Sequence, residues 1–458
     1  MNTAEAPDVL VVGGGNAGLC AALSASDRGA RVLLLERTPR PWRGGNSKYT
    51  RDVRVAGPDY DDEEFLQDLV EVTREGTDLE LASFTIARSR ELPGWMEAHG
   101  IRWQPPLGGT LQLSRTNRFF LGGGKAMLNA YYAQLERSGV EVAYDSKVSD
   151  LRLEDGRFVA ALVEQPDGQV WIPARSVVLA SGGFEANLDW LRRSWGAAAD
   201  NYQVRGSRAN DGLVLSLLLA RGAMERGNPR GFHCVACDAR SPQYEGGIVT
   251  RVDSVPFGIV VNNRAERFHD EGEQLWPKRY ARWGGLVAEQ PDQIAYSIFD
   301  SQAWGQFLPP LYPPYKAGTI AELAGRLELD AAALQRTVDT YNAGVKGGGG
   351  FDPKRLDGLG TCGVTPPKSN WARRLDQPPY YGYPMRPGVT FTYLAVGVDQ
   401  GARVLRQDGT AWPNVFAAGE IMAGNVLRQG YLAGFGLTIG SVFGRIAGEE
   451  AARCARAA

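Results

Sequence analysis

The sequence predicts an α/β fold: a parallel-sheet domain of strand–helix–strand units, interrupted by an inserted α+β capping domain. Three observations predict it. The chain opens on a short apolar run, a glycine turn, an apolar helical period and a second apolar run. From about residue 228 to 392 its character shifts, and Pro, Trp and Tyr concentrate there. After 393 strand and helix patterns return. A chain of 458 residues can bury a large core and form two domains. The expected division is 1–227 and 393–458 for the two parts of the sheet domain, and 228–392 for the cap.

The elements follow in order. Residues 8–12 are a short apolar strand, 19–28 have helical spacing ended by Gly29, and 31–36 are a second strand. Together they form a βαβ unit of the Rossmann kind. Helical periods at 63–75 and 79–99 come next. A meander is expected over 140–172, with turns at Glu154-Asp155-Gly156 and Pro166-Asp167-Gly168. Residues 177–180 are a buried strand ending in Ser181-Gly182-Gly183. Within the cap, 319–327 and 330–345 are helical and 347–350 is a glycine tip. Strand 415–418 and helix 437–456 close the chain.

Composition excludes several classes. A net charge of −2 with 22% charged residues gives no basic surface for nucleic acid. No run approaches the ~20 apolar residues that span a bilayer, and no secretory pattern precedes the first strand. These features predict a cytoplasmic protein. The five cysteines are scattered, which suits a reduced compartment. Cys234 and Cys237 form a lone C-x-x-C without further metal ligands, so no metal is expected.

The glycine turn carries chemistry. Gly13, Gly15 and Gly18 stand in a G-x-G-x-x-G, with Asn16 and Ala17 inside it. Such glycines allow a tight turn, a close backbone approach to pyrophosphate, and close helix–strand packing. The helix N-terminus presents unpaired N–H groups to phosphate. Glu36 ends the second strand, placed to accept hydrogen bonds from ribose hydroxyls. Two later segments separate FAD from NAD. One is the polar loop Arg43-Gly44-Gly45-Asn46-Ser47. The other is Asn414-Val415-Phe416-Ala417-Ala418-Gly419-Glu420, a strand, turn and acid at which the chain returns to meet a longer cofactor.

On these residues the sequence resembles the flavoprotein family of fumarate reductase, succinate dehydrogenase and 3-ketosteroid dehydrogenase. Further strings that carry the likeness are Leu179-Ala180-Ser181-Gly182-Gly183, Arg267-Phe268-His269-Asp270-Glu271 and Phe443-Gly444-Arg445-Ile446-Ala447-Gly448. Trp42-Arg43-Gly44-Gly45-Asn46-Ser47, Arg115-Thr116-Asn117, Gly122-Gly123-Gly124-Lys125-Ala126, Trp276-Pro277-Lys278-Arg279-Tyr280 and Tyr431-Leu432-Ala433-Gly434 are similar to tricarballylate dehydrogenases. The flavin domain of a cobalamin-pathway enzyme also resembles them.

The resemblance implies a GR2-type FAD-binding domain with non-covalent FAD, because the loop where some relatives carry a flavin-linking His reads Asn46-Ser47-Lys48. It assigns Asn46 and Ser47 to the pyrophosphate and Glu420 to the ribityl chain. The backbone of Gly436, Leu437 and Thr438 is assigned to the flavin pyrimidine edge. Arg37, Gly44, Gly45, Gly124, Lys125, Val148, Ala180, Ser181, Gly182 and Gly419 are expected to complete the cofactor site.

Making or reducing a C–C double bond beside a carboxylate or ketone needs a hydride acceptor, a proton acceptor or donor, and groups that polarise the carbonyl. Where the family's proton-donating Arg or catalytic Tyr stands, this chain has Leu275. Arg279 or Tyr280, further along the same segment, is the expected replacement, with Lys278 beside them. His233 matches the family's substrate-binding His. Tyr431 falls where a second substrate Arg is usual, with Arg428 nearby. Phe391 falls near a second active-site His and is followed by Thr392. Arg115, Arg428, Thr392 and Lys278 are therefore expected at the substrate, and His233, Tyr431, Arg279 and Tyr280 at the chemistry. His99, His269 and Glu271 are expected to be structural.

Three functions follow. One is dehydrogenation of a tricarballylate-like polycarboxylate. Electrons would then pass to a separate acceptor, by resemblance a membrane iron–sulfur/haem protein at which the chain docks peripherally. Another is a ketosteroid-type desaturase or biosynthetic flavoenzyme on an uncharged substrate. The last is a non-catalytic flavin carrier.

Overall fold

The structure, a computed structural model, describes residues 6–74, 76–105, 113, 115–347 and 349–457. Glu75 of the expected first helical period and Gly348 of the glycine tip lie outside the described residues. The first sheet has six strands, in spatial order Arg403–Leu405, Ala411–Ala417, Ser176–Leu179, Val9–Val12, Val32–Leu35 and Glu141–Ala143. All neighbours are parallel except the first pair. The strands VLVV, VLLL and SVVL are buried along their whole length. Parallel strands covered on both faces take such unbroken apolar runs.

The first helix, Asn16–Asp27, packs on the last, Phe435–Ala457. The seam is small residues. A Cβ on Gly444 would lie 2.5 Å from the Ala17 carbonyl oxygen, and one on Gly448 2.2 Å from that of Ala21. The two helices can therefore touch backbone to backbone. This brings the N-terminus of the last helix beside the glycine turn of the first.

A second sheet holds Gln203–Val204, Glu225–Asp238, Ile259–Asn262, Ala295–Asp300, Tyr315–Ala317 and the long Tyr380–Val396. Helices Ile320–Arg326 and Ala331–Gly344 bury their apolar faces against Ile259, Val261 and Ile298 in a separate small core. The expected domain boundaries at 227/228 and 392/393 fall inside two of these strands. Those strands pair antiparallel along most of their length and link the sheet domain to the cap as a continuous ribbon.

The meander lies at Lys147–Glu154, Arg157–Gln165 and Gly168–Pro173. Its first turn places Asp155 and Gly156 at positive φ. The period over 79–99 resolves into two helices, Leu79–Ser89 and Leu92–Ala98, because Pro93 in the first turn of the second cannot donate to the preceding one. Among the described residues no helix is long and apolar enough to cross a membrane. None of their His, Cys, Asp and Glu side chains form a group of three that could hold a metal ion. Cys234 and Cys237 are buried free thiols on the ribbon.

Candidate active site

One cleft runs between the first sheet and the cap. Its empty space, open solvent at the mouth included, is about 1610 Å³. At one end the walls are Glu36, Arg37, Ser146, Lys147 and Val148. The middle is Gly13, Gly15, Asn16, Ala17, Ser47, Ala180, Ser181 and Gly182. Gly419, Glu420, Gly436 and Leu437 follow, and the far end holds Arg51, Asp52, Arg205, His233, Arg251, Tyr280, Phe391 and Tyr431.

The first half suits a dinucleotide. Gly13 adopts φ +105°, and a Cβ there would lie 2.4 Å from the Ala180 carbonyl oxygen. A Cβ on Gly15 would make only ordinary contacts, to Ser47 Oγ at 3.6 Å and the Gly44 carbonyl oxygen at 3.8 Å, and this backbone lines the cleft. Glu36 accepts from the Gly14 N–H at 3.1 Å and from the N–H and hydroxyl of Thr38, each at 2.8 Å. A carboxylate has about four acceptor sites, so one is left towards the cleft. Ser47 accepts from the Asn16 N–H at 3.0 Å and pins the polar loop over the helix N-terminus. Arg37 pairs with Asp211 at 2.9 Å on the same rim. The residues present therefore fit FAD.

Several expected cofactor residues lie elsewhere. Gly18 serves packing, since a Cβ on it would lie 1.8 Å from the Gly13 carbonyl oxygen. Gly44, at φ +102°, faces Leu128. Gly124 donates its N–H to the Thr50 carbonyl at 2.8 Å from beneath the loop, and Lys125 is exposed. Of the expected backbone stretch 436–438, Gly436 and Leu437 line the cleft and Thr438 does not, its hydroxyl donating to the Arg54 carbonyl. Asn46 lines the cleft, but its amide is engaged. It donates to Glu185 and to the Thr390 carbonyl, and it accepts from the Ser207 N–H at 2.7 Å. It is a strut rather than a free pyrophosphate ligand.

The far end gathers charge that the sequence did not single out. Arg251 makes a bidentate pair with Asp253 at 2.7 and 2.9 Å. Burial works against its charge, but Asp253 outweighs this and holds the guanidinium above its ordinary pKa. Arg51 stands 3.7 Å from Asp52. Arg205 donates from Nε to the Thr390 hydroxyl at 2.8 Å, while its Nη1 is buried with no partner and no carboxylate reaches it among the described residues. Three guanidiniums thus face two carboxylates. Burial also raises the Asp52 pKa, against the pull of Arg51.

Tyr280 sits among them. The Arg251 guanidinium lies 4.6 Å from its ring centroid and the His233 ring 5.7 Å away, edge-on. Burial pushes its hydroxyl up to about 12, although Arg251 and Arg205 pull the other way. His233 stacks on Tyr431, centroids 4.0 Å apart at 12°. Burial, then Arg205 and Arg251, hold its pKa well below the usual imidazole value, so it is neutral. Its Nε2 has no partner among the described residues. Tyr431 accepts the Gly436 N–H at 2.9 Å at the start of the last helix.

The other expected cations are not in the cleft. Arg115 grips Glu64 and the Asp59 carbonyl at the surface, each at 2.7 Å. Lys278 pairs with Asp68 at 2.8 Å and Glu71 at 2.7 Å. Arg279 faces Glu273 at 3.4 Å, a carboxylate shared with His269 and Arg282. Arg428 donates to the Gly76 and Gly227 carbonyls at 3.2 and 2.9 Å. Thr392 faces Glu420 rather than the cleft, donating its N–H at 2.8 Å. Each of these side chains already has a structural partner. His99 is likewise engaged, with the Trp95 carbonyl at 2.8 Å and Asp27 at 3.0 Å. Glu271 clasps Arg267 and the Val260 N–H.

Such an end can hold a small anion against a positive wall. It also places a phenol, a neutral imidazole and a cofactor channel around one space. The far end is enclosed by Phe391 and Tyr431 and sits at the end of a channel shaped for a dinucleotide, as a site for hydride exchange with a flavin requires.

Comparison with known proteins agrees. The profile of the family described as "FAD binding domain" matches residues 8–437. The chain is 26% identical over 469 residues to the "Probable fumarate reductase Ifc3" of Shewanella frigidimarina, covering 98% of this chain and 75% of that one. It is 25% identical over 526 residues to the "NADH:acrylate oxidoreductase" of Vibrio harveyi, covering 98% of this chain. It spans half the length of that relative. Its fold is that of an open flavocytochrome c3 fumarate reductase, at a TM-score of 0.78 and 24% identity, covering 99% of this chain and 79% of that one. It also matches 3-ketosteroid-delta4-(5alpha)-dehydrogenase from Rhodococcus jostii RHA1, at 0.73 and 24%, covering 98% of both chains. The chain belongs to the FAD binding domain family and is an FAD-dependent oxidoreductase of the fumarate reductase/succinate dehydrogenase flavoprotein kind.

Proposed function

We propose that the chain is a dehydrogenase of the CH–CH bond in a small polycarboxylate of the tricarballylate kind. The observation that carries this reading is Arg205, a buried guanidinium facing the cleft with, among the described residues, an unpartnered nitrogen and no carboxylate of its own. An unpaired buried charge is costly unless a ligand completes it. Arg51 and Arg251 beside it suit a ligand with more than one carboxylate, since planar guanidinium forks match carboxylates.

FAD bound along Glu36, Ser47 and Gly419 would supply the hydride acceptor for one substrate carbon, and the neighbouring carbon would lose a proton as the double bond forms. Arg205, Arg251 and Arg51 hold the carboxylates and polarise the one beside the acidic C–H. Tyr280 takes the proton, with Arg251 and Arg205 favouring its phenolate. His233, neutral and stacked on Tyr431, offers a fixed polar edge to the substrate. Phe391 and Tyr431 exclude water. The electrons then leave to a separate acceptor, for which a membrane iron–sulfur/haem protein reached from the cytoplasm is the proposal. FAD would be held without a covalent link, since the loop where some relatives carry a flavin-linking His reads Asn46-Ser47-Lys48 here.

Only the phenolate form of Tyr280 can accept the proton. With its pKa pushed up to about 12, that form is scarce at neutral pH and grows as pH rises. Dye-linked turnover of tricarballylate should therefore climb about tenfold per pH unit above 7. A pH-independent rate would remove Tyr280 as the base. Turnover of an uncharged 3-ketosteroid, with none of tricarballylate, would overturn the substrate class.

The aromatic wall of Tyr49, Phe391 and Tyr431 favours the ketosteroid-type reading as runner-up. It leaves Arg205 without a role. The non-catalytic carrier reading is set aside, because the named relatives are oxidoreductases.

A further inference from the structure

Two carboxyl groups lie side by side where the cleft passes Gly419. Glu420 lines the cleft; Glu185 lies behind it, fully buried. Neither has a cation hydrogen-bonded or ion-paired to it among the described residues. Their other partners are neutral. Glu185 Oε1 accepts from the amides of Asn46 and Asn210, the latter at 2.6 Å. Glu420 Oε1 accepts the Thr392 N–H at 2.8 Å and the Thr392 hydroxyl at 3.2 Å. Glu185 Oε2 is buried and receives no donor among the described residues. The group beside it is the Glu420 carboxyl: the Thr392 hydroxyl that reaches Glu420 Oε1 also accepts the Phe184 N–H at 3.2 Å, next to Glu185, and a Cβ on Gly183 would lie 2.2 Å from Glu420 Oε1.

Two adjacent buried carboxylates cannot both be ionised without a cation between them. We infer that the pair holds a single proton, carried by Glu420 and donated to Glu185 Oε2. Glu185 is the carboxylate, steadied by the two asparagine amides. Glu420 is the neutral acid presented to FAD. This completes every oxygen of the pair, including the one otherwise orphaned. Burial, then the charge of Glu185, raises the Glu420 pKa well above the carboxylate range, in the same sense.

Glu185 is thus a positioning residue that acts through Glu420. It keeps negative charge one side chain back from the flavin, where reduction adds electrons. The inference concerns cofactor binding and is independent of the substrate proposed above.

Isosteric amides separate the possibilities. In E185Q the new NH2 donates towards Glu420, which becomes the carboxylate, and the charge moves to the cofactor side. In E420Q the amide donates to Glu185 as the acid does. E185Q should weaken FAD binding by about tenfold or more. It should also lower the two-electron flavin potential, by about 30 mV for each tenfold loss of preference for the reduced form. E420Q should change both by less. Equal effects, or a larger effect in E420Q, would overturn the assignment. Should E185Q fail to fold, infrared difference spectra of wild type and E420Q decide. A protonated-carboxyl C=O band at neutral pH that E420Q removes is expected; a wild-type protein without that band contradicts the inference.

Discussion

Tyr280→Phe is expected to leave FAD bound and to lower turnover by about 10²–10⁴-fold, the usual contribution of a positioned general base. The ring is retained, so the edge contact to His233 and the position beneath Arg251 persist. Only the hydroxyl is lost, and among the described residues that hydroxyl supports no other group. The flavin spectrum of the oxidised variant should match wild type, and rapid-mixing kinetics should show slow flavin reduction at saturating substrate. Arg279→Ala offers a contrast, because Arg279 faces Glu273 outside the cleft. A Tyr280→Phe enzyme that reduces its flavin at the wild-type rate would move the base to another residue.

Arg205→Met is expected to separate stability from function. The guanidinium is buried without a carboxylate, and burial pulls its pKa below the ordinary value. Replacing an uncompensated charge by an apolar chain of similar length should stabilise the substrate-free protein by about 1–3 kcal/mol, seen as a rise in Tm. The same change removes a charge-assisted bond to the substrate, worth about 1.5–3 kcal/mol when bound. It also leaves the substrate carboxylate unpaired, so kcat/KM for a polycarboxylate should fall by about 10²–10³-fold. Arg251 cannot serve as the same probe. Removing it strands Asp253, which also accepts the Trp276 indole N–H at 2.8 Å.

Much of the cofactor half was legible in the sequence. The glycine turn, Glu36, Ser47 and the Gly419-Glu420 return each lie on the cleft wall. Their chemistry depends on short-range backbone geometry, which neighbouring residues in the chain determine. The substrate half was legible only in part. His233, Tyr280 and Tyr431 lie on the cleft wall, whereas Arg115, Lys278, Arg279 and Arg428 do not. A cation in a motif-like string carries no sign of whether a carboxylate elsewhere has already claimed it. Glu64, Asp68, Glu71 and Glu273 did so here. Arg51, Arg205 and Arg251 were missed because each comes from a different segment and meets the others only in the fold. The pattern Arg251-Val252-Asp253 was the available signal, a charge pair in an otherwise apolar stretch.

The strands of the second sheet were obscured for a related reason. Tyr380–Val396 contains Pro384 and Pro387 and two glycines, residues that weaken a strand reading. Its pairing with Glu225–Asp238 and Ala295–Asp300 supplies what local propensity lacks. Propensity gives way when so many cross-strand contacts form at once.

The central claim is that the positive far end of the cleft oxidises a polycarboxylate next to bound FAD. Anaerobic absorbance of the purified flavoprotein, before and after adding tricarballylate, tests it most directly. The account predicts a yellow protein whose flavin band bleaches on addition. A flavin that stays oxidised with tricarballylate but bleaches with an uncharged steroid would contradict it.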